Sequence, residues 1–346
     1  MRNATATGTS PRWALPALVL AGLLGLGYLP ALARETATIS NPVAPRGNDP
    51  WVIRRDGSYL YCYSWAKGIW VNRSPRLEEA VQFAGRKVWT PPESGPSSRH
   101  VWAPELHFLR GRWYLYFAAD DGPNENHRMF VLAATTDDPL GPYEFKGQLG
   151  LKPDRWAIDG SVLELDGALY FLWSGWEGNT NGRQDLYIAR MADPLTIVGE
   201  RVRISTPEHA WERHGDPWVN EGPTALVRGN KVHVIYSASG SWGNHYCLGR
   251  LTLVGRDPLR VGAWVKEPRP VFAGTASVIS PGHASFVTSP DGTEDWIVYH
   301  AARRRDSGWD RNTRMQPFRW RADGTPDFGE PVAEGIPLPA PSARRK

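Results

Sequence analysis

The chain has 346 residues and a formal net charge of only +4, from 40 Lys and Arg against 36 Asp and Glu. Arginines are scattered, with no run longer than Arg303-Arg304-Arg305, so no nucleic-acid partner is expected. Only Cys62 and Cys247 are present, too few for a disulfide framework, and two separate buried thiols are expected. Aromatics are abundant, with 17 Trp, 12 Tyr and 10 Phe, which suits a large β-core or stacking on sugar rings.

Residues 1–33 stand apart. Arg2 and Arg12 precede the apolar run "ALPALVLAGLLGLGYLPALA", which ends in Ala31-Leu32-Ala33. This is the pattern of a secretory signal with an A-x-A cleavage site; an uncleaved membrane anchor is the alternative. Residues 34–346 are expected to be secreted and to form a single domain.

Five segments of that domain share one plan. They are "NDPWVIRRDGSYLYCYSW" from Asn48, "APELHFLRGRWYLYFAAD" from Ala103, "IDGSVLELDGALYFLWSG" from Ile158, "NEGPTALVRGNKVHVIYSAS" from Asn220 and "GHASFVTSPDGTEDWIVYHA" from Gly282. Each opens on a charged or titratable residue, crosses an apolar stretch, and reaches a glycine-bearing turn before an aromatic strand. The turns Asp56-Gly57, Arg110-Gly111, Asp166-Gly167, Gly229-Asn230 and Asp291-Gly292 are hairpin chemistry. Further strand-like stretches follow, and no segment carries an amphipathic helix. A repeat of about 54 to 62 residues built from short strands predicts an all-β, five-bladed β-propeller. A long β-sandwich would not explain the polar opening position.

In a propeller the first strand of each blade lines the central channel. Asp49, Glu105, Asp159, Glu221 and His283 are then expected to converge on one axis. Loops rich in Trp, Asn and Arg fall on the same face: "SWAKGIW", "DDGPNENHR", "SGWEGNTNGRQ", "SASGSWGNHY" and "ARRRDSGWDRN". Singly, Asp49-Pro50 and Asp159-Gly160 read as ordinary turn pairs, and Glu221 as a solvated loop acid. Together, three carboxylates near one centre are costly unless used, paired or protonated. Glu105 either helps the site or bonds backbone around the axis. His283 is either a structural group or a ligand to an ion or water in the channel.

At these residues the sequence resembles glycoside hydrolase family 43, five-bladed propellers acting on arabinose- and xylose-containing polysaccharides. The likeness runs from about Asn41 to Glu330. It implies Asp49 in "NDPWV" as general base, Glu221 in "VNEGP" as general acid, and Asp159 in "AIDGSV" as the residue that orients the acid and tunes its pKa. His283 in "PGHASF" matches an axial histidine near which a calcium ion or water is found. Arg314 in "NTRMQPF" matches an arginine that binds sugar hydroxyls. Trp102 and Glu105 in "VWAPEL" are further candidates on the substrate side. Trp211 and Trp218, in the insertion "TPEHAWERHGDPW", either wall a sugar subsite or belong to a loop packed on the rim.

The stretches "VWAPELHFLRGRWYLYFAADDG", "DPLGPYEFKGQL" and "YSASGSWGNHYCLG" are most similar to the exo-acting α-L-arabinofuranosidase branch, which trims α-1,5-arabinan. The implied partner is arabinan or its oligosaccharides, cleaved by a monomer with no cofactor in the chemistry. An endo-arabinanase, a β-xylosidase and a non-catalytic carbohydrate-binding propeller are the alternatives. The absence of a β-sandwich after the fifth unit argues mildly against the β-xylosidase. In an inverting mechanism the two carboxyl groups stand roughly 6.5–9.5 Å apart, with a water between base and sugar. Glu221 must stay protonated, through the nearby charge of Asp159, and Asp49 ionised.

Overall fold

The computed structural model describes residues 8–10 and 37–342. The chain divides into two compact units, Met1–Glu35 and Thr36–Lys346, and every strand belongs to the second. The expected signal segment, residues 1–33, lies outside the described residues except for 8–10, which take no regular structure. Among the described residues no helix is long and apolar enough to cross a membrane.

Twenty strands form five four-stranded antiparallel blades, each continuous in sequence. The inner strands are Trp51–Arg55, Arg99–Leu109, Ala157–Leu165, Trp218–Arg228 and Ile279–Thr288; we number the blades 1 to 5 from these. The outermost strands are Arg86–Trp89, Tyr143–Gln148, Thr196–Ser205, Trp264–Lys266 and Pro326–Asp327. The only described α-helix is the single turn Leu77–Ala80. A short parallel contact, Arg183 with Trp218 and Gln184 with Val219, links blades 3 and 4.

The middle strands read as unbroken apolar runs because both of their faces are buried. In Arg112–Asp120, Trp113, Leu115, Phe117 and Ala119 pack toward blade 1, whereas Tyr114, Tyr116 and Ala118 pack toward blade 3. A period of two thus sends alternate side chains into two different cores. The described residues form five hydrophobic clusters, one between each pair of neighbouring blades. Cys62 and Cys247 are buried free thiols on separate blades, as expected from their count.

The ring closes by packing blade 1 against blade 5. Val52 N–H donates to Ser285 Oγ at 3.1 Å, and Tyr59 Oη donates to the Thr288 carbonyl at 2.7 Å. Outside the blades, Thr38–Ser40 pairs antiparallel with Pro337–Pro339. The expected hairpins form at Asp56-Gly57, Arg110-Gly111 and Asp166-Gly167, where both central residues have positive φ. Gly229 alone is left-handed in the fourth hairpin, and the fifth is a longer loop closed by Gly292 N–H on the Ser289 carbonyl.

Candidate active site

At the opposite end of the inner strands the chain kinks in every blade. Asp49, Ala103, Asp159, Gly222 and His283 all have φ between 40° and 56°. In blades 2 to 5 the kink is a bulge, in which two residues oppose one on the neighbouring strand: Ala103-Pro104, Asp159-Gly160, Gly222-Pro223 and His283-Ala284. The single residue opposite each is a buried aromatic: Phe117, Trp173, Tyr236 and Tyr299. This corrects the expectation that Asp49, Glu105, Asp159, Glu221 and His283 are equivalent. Asp49, Asp159 and His283 share the kink, whereas Glu221 precedes it by one residue and Glu105 follows it by two. A left-handed Asp or His costs about 1–2 kcal/mol, and such strain concentrates at functional sites.

Asp49, Asp159, Glu221 and His283 line one cleft of about 630 Å³. Asp49 is held from two sides: His283 Nδ1 lies 3.1 Å from its Oδ1, and its own N–H donates to His300 Nδ1 at 3.0 Å. Asp159 Oδ2 accepts the N–H of Gly222 at 3.0 Å, fixing the turn that follows Glu221. Tyr246 Oη donates to Glu221 Oε1 at 2.7 Å. The Asp159 and Glu221 residues are only 4% and 8% exposed, against 26% for the Asp49 side chain.

These surroundings push the acids apart in acidity. Burial raises Asp49, but the cationic His283, with smaller help from His300 and Arg311, outweighs it and holds the carboxyl well below its ordinary value. Burial pulls His283 down, yet the carboxylates of Asp49 and Asp159 carry it up to about 10, so the ring is an imidazolium. Burial raises Glu221 above the ordinary range, and Asp49 adds to the shift against Tyr246 and His283. Asp159 is raised to about 7, chiefly by burial. Desolvation is thus the larger influence raising Glu221, rather than the Asp159 charge expected from the sequence.

The remaining candidates divide. Trp102 lines the cleft, stacked on His127 with ring centroids 4.0 Å apart. Glu105 lies outside the cleft lining, buried, with Oε2 2.8 Å from His107 Nε2. Arg314 does not reach the cleft either. It donates to Asn312 Oδ1 and to the Val332 carbonyl, while Arg311 lines the cleft instead. Three residues apart on a strand, the two arginines face opposite ways. Trp211 packs against the cluster between blades 3 and 4 and donates to the Pro268 carbonyl. Trp218 sits under the Arg213 guanidinium, 4.4 Å from its ring centre, and Pro217 is the insertion's residue in the cleft. Trp211 is thus packed into the rim, whereas Trp218 stays 41% exposed next to Pro217.

Sequence reasoning missed Tyr246, His300, Trp156, Asn124, Asn181, Gln184, Ser241, Trp242, Trp309 and Arg311. Most of these lie in the Trp-, Asn- and Arg-rich loops, so composition marked the loops without singling out residues. Among the described residues no three His, Cys, Asp or Glu side chains stand at ligand spacing. His283 Nδ1 faces Asp49.

Residues 39–326 match the model described as glycosyl hydrolases family 43. An extracellular exo-α-(1→5)-L-arabinofuranosidase of Streptomyces avermitilis is 35% identical over 336 residues, covering 93% of this chain and 69% of that protein. The enzyme of the same description from Streptomyces chartreusis is 35% identical, covering 84% and 92%. Among solved structures, an α-L-arabinofuranosidase from Lactobacillus brevis superposes with a TM-score of 0.80 at 34% identity, covering 86% of this chain and 98% of that one.

Proposed function

The chain belongs to glycosyl hydrolase family 43, and on that premise we propose that it is a secreted, inverting exo-α-L-arabinofuranosidase working on arabinan and arabino-oligosaccharides. The observation that carries this reading is one cleft holding two carboxyl groups pushed in opposite directions: Asp49, 3.1 Å from His283 Nδ1, is held below its ordinary pKa, and Glu221 is raised above its own by burial. General acid–base hydrolysis of a glycosidic bond needs that pair.

In this mechanism Glu221 donates its proton to the leaving oxygen. Tyr246 keeps its own proton, because burial raises its hydroxyl well above the usual range, and donates to Oε1; the acidic proton of Glu221 therefore sits on Oε2. Asp49 takes a proton from the water that attacks the anomeric carbon on the face away from the leaving group. The C–O bond breaks as the new one forms, and the sugar leaves with inverted configuration. Asp159 acts on backbone, holding the Gly222 N–H and through it the strand that aims Glu221. Trp102 and Arg311 offer the sugar a ring face and hydrogen-bond donors.

Export is supported by the apolar run ending at Ala31-Leu32-Ala33 and by the two relatives described as extracellular. Cleavage after Ala33 gives secreted protein beginning at Arg34, which N-terminal sequencing reads directly. The chain is expected to act as a monomer. The deciding experiment is product analysis on linear arabinan, arabinoxylan and xylo-oligosaccharides, with proton NMR of the first-formed anomer. Single arabinose units of inverted configuration are expected from arabinan. Early di- and trisaccharides indicate endo cleavage, xylose a β-xylosidase, and binding without product a non-catalytic propeller.

A further inference from the structure

A second concavity, larger than the catalytic cleft at about 940 Å³, opens between blades 1 and 2. Its walls are the hairpin Ser64–Gly68, joining the second and third strands of blade 1, and parts of the connection into blade 2. Those elements lie on the same face as the cleft. A single stretch of strand divides the two: His100 and Val101 line the hollow, and Trp102 lines the cleft.

Three observations set this hollow apart from a gap between loops. Its walls hold left-handed backbone at Ala66 (φ 44°), Lys67 (φ 54°) and His100 (φ 42°), none of them glycine. A tight hairpin with two such central residues normally uses Asn-Gly or Gly-Gly, so strain is retained here where a simpler turn was available. Trp65 stands 44% exposed at the edge, with the Arg46 guanidinium 5.3 Å from its ring centre and Phe83 edge-on to it. Of the charges in the wall, Arg99 is already engaged, donating to the carbonyls of Glu93 and Ser98. With Arg99 spent and Lys67 and Glu93 opposite in sign, the hollow suits a neutral, hydroxyl-rich ligand with apolar ring faces rather than an anion.

We propose that this hollow is a second carbohydrate site, binding another stretch of the arabinan chain against Trp65 while the cleft works on a chain end. The inference rests on arabinan being the substrate. The dividing wall is also built to be firm: buried Asp120 has an oxygen 2.9 Å from the Nδ1 of both His100 and His127, and His127 is the ring on which Trp102 stacks. Anything filling the hollow presses on the strand that carries Trp102.

The test uses full-length protein in a Glu221→Gln background, so that polymer is not consumed, run on native gels containing linear arabinan. Trp65→Ala should abolish most of the retardation that the parent shows, with Trp65→Phe intermediate. In the active enzyme, Trp65→Ala should lower kcat/KM on polymeric arabinan about tenfold, equal to ~1.4 kcal/mol, and leave arabinotriose untouched. Unchanged retardation in Trp65→Ala, or equal losses on polymer and trisaccharide, overturns the proposal. If the wild-type enzyme cleaves arabinotriose but the Glu221→Gln parent is not retarded by arabinan, the second site alone falls. If the wild type does not cleave arabinotriose and the Glu221→Gln parent does not bind arabinan, the functional reading falls first. An unaltered melting temperature of Trp65→Ala separates loss of binding from loss of fold.

Discussion

At the tight-turn ends of blades 1 to 3, Asp56-Gly57, Arg110-Gly111 and Asp166-Gly167 take left-handed backbone in open space. At the other ends of the inner strands, Asp49, Ala103, Asp159, Gly222 and His283 take it in a crowded channel. A Cβ added to Gly57, Gly111 or Gly167 meets nothing within 4 Å, whereas one added to Gly222 lands 3.1 to 3.3 Å from the His283 ring. The same torsion therefore has two meanings. At the turns it reverses the chain and is met by the usual residues. At the channel it aims side chains, and three of the five positions carry an acid or a histidine despite the steric cost.

The largest effects should come from the acids at or beside the kinks. Asp49→Ala removes the group that activates water, and kcat should fall ~10²–10⁴-fold on every substrate. Glu221→Ala should fall as far on arabino-oligosaccharides but much less on a nitrophenyl arabinoside, whose leaving group needs little protonation. Equal responses of the two variants to leaving-group acidity would reverse or void the assigned roles.

Gly222→Ala comes next, because it combines a left-handed torsion with crowding of His283. A loss of more than about 1 kcal/mol in stability is expected from the torsion alone. A drop in kcat should accompany it, as His283 is pushed from its 3.1 Å contact with Asp49. Wild-type kcat in a stably folded Gly222→Ala enzyme would show that the His283 position does not matter to Asp49.

The pH dependence of stability separates the channel from the turns more gently. Asp159, raised to about 7, keeps a proton that the unfolded chain releases near the ordinary carboxylate value, so its contribution is lost as pH rises toward 7. His283, raised to about 10, contributes fully below the ordinary imidazole value of 6.5, and that contribution is lost as pH rises through 10. The melting temperature should therefore decline from mildly acidic to alkaline pH. His283→Gln should lower it more at about pH 6 than at about pH 10. A uniform loss across that range would argue against a charged His283.

The smallest effect belongs to the turn end. Gly57→Ala should cost about 1 kcal/mol of stability through its torsion and leave kcat/KM unchanged. Any change in activity there would blur the distinction between the two ends.

The five units, their hairpin turns and the three acids were legible in the amino-acid sequence, because each rests on local signals. Two φ-positive residues make a tight hairpin wherever they occur, and a repeat of short strands around such turns leaves few folds open. The signals failed where one residue of register matters. Aligning the openings by their polar residues put Glu105 and Glu221 in step with Asp49, yet the bulges show both to be out of phase with it. Arg314 is the arginine the family resemblance implies, and only the pairing of Tyr299 with Arg314 and Ala302 with Arg311, beside the cleft lining, shows that Arg311 faces the cleft instead. His300 gave no signal and Tyr246 only its place in a Trp- and Asn-rich loop, since their importance lies in contacts with Asp49 and Glu221 across more than 20 residues of chain. Side-chain direction in a strand reverses with each residue, so tertiary pairing, and not residue type, decided which polar groups meet at the axis.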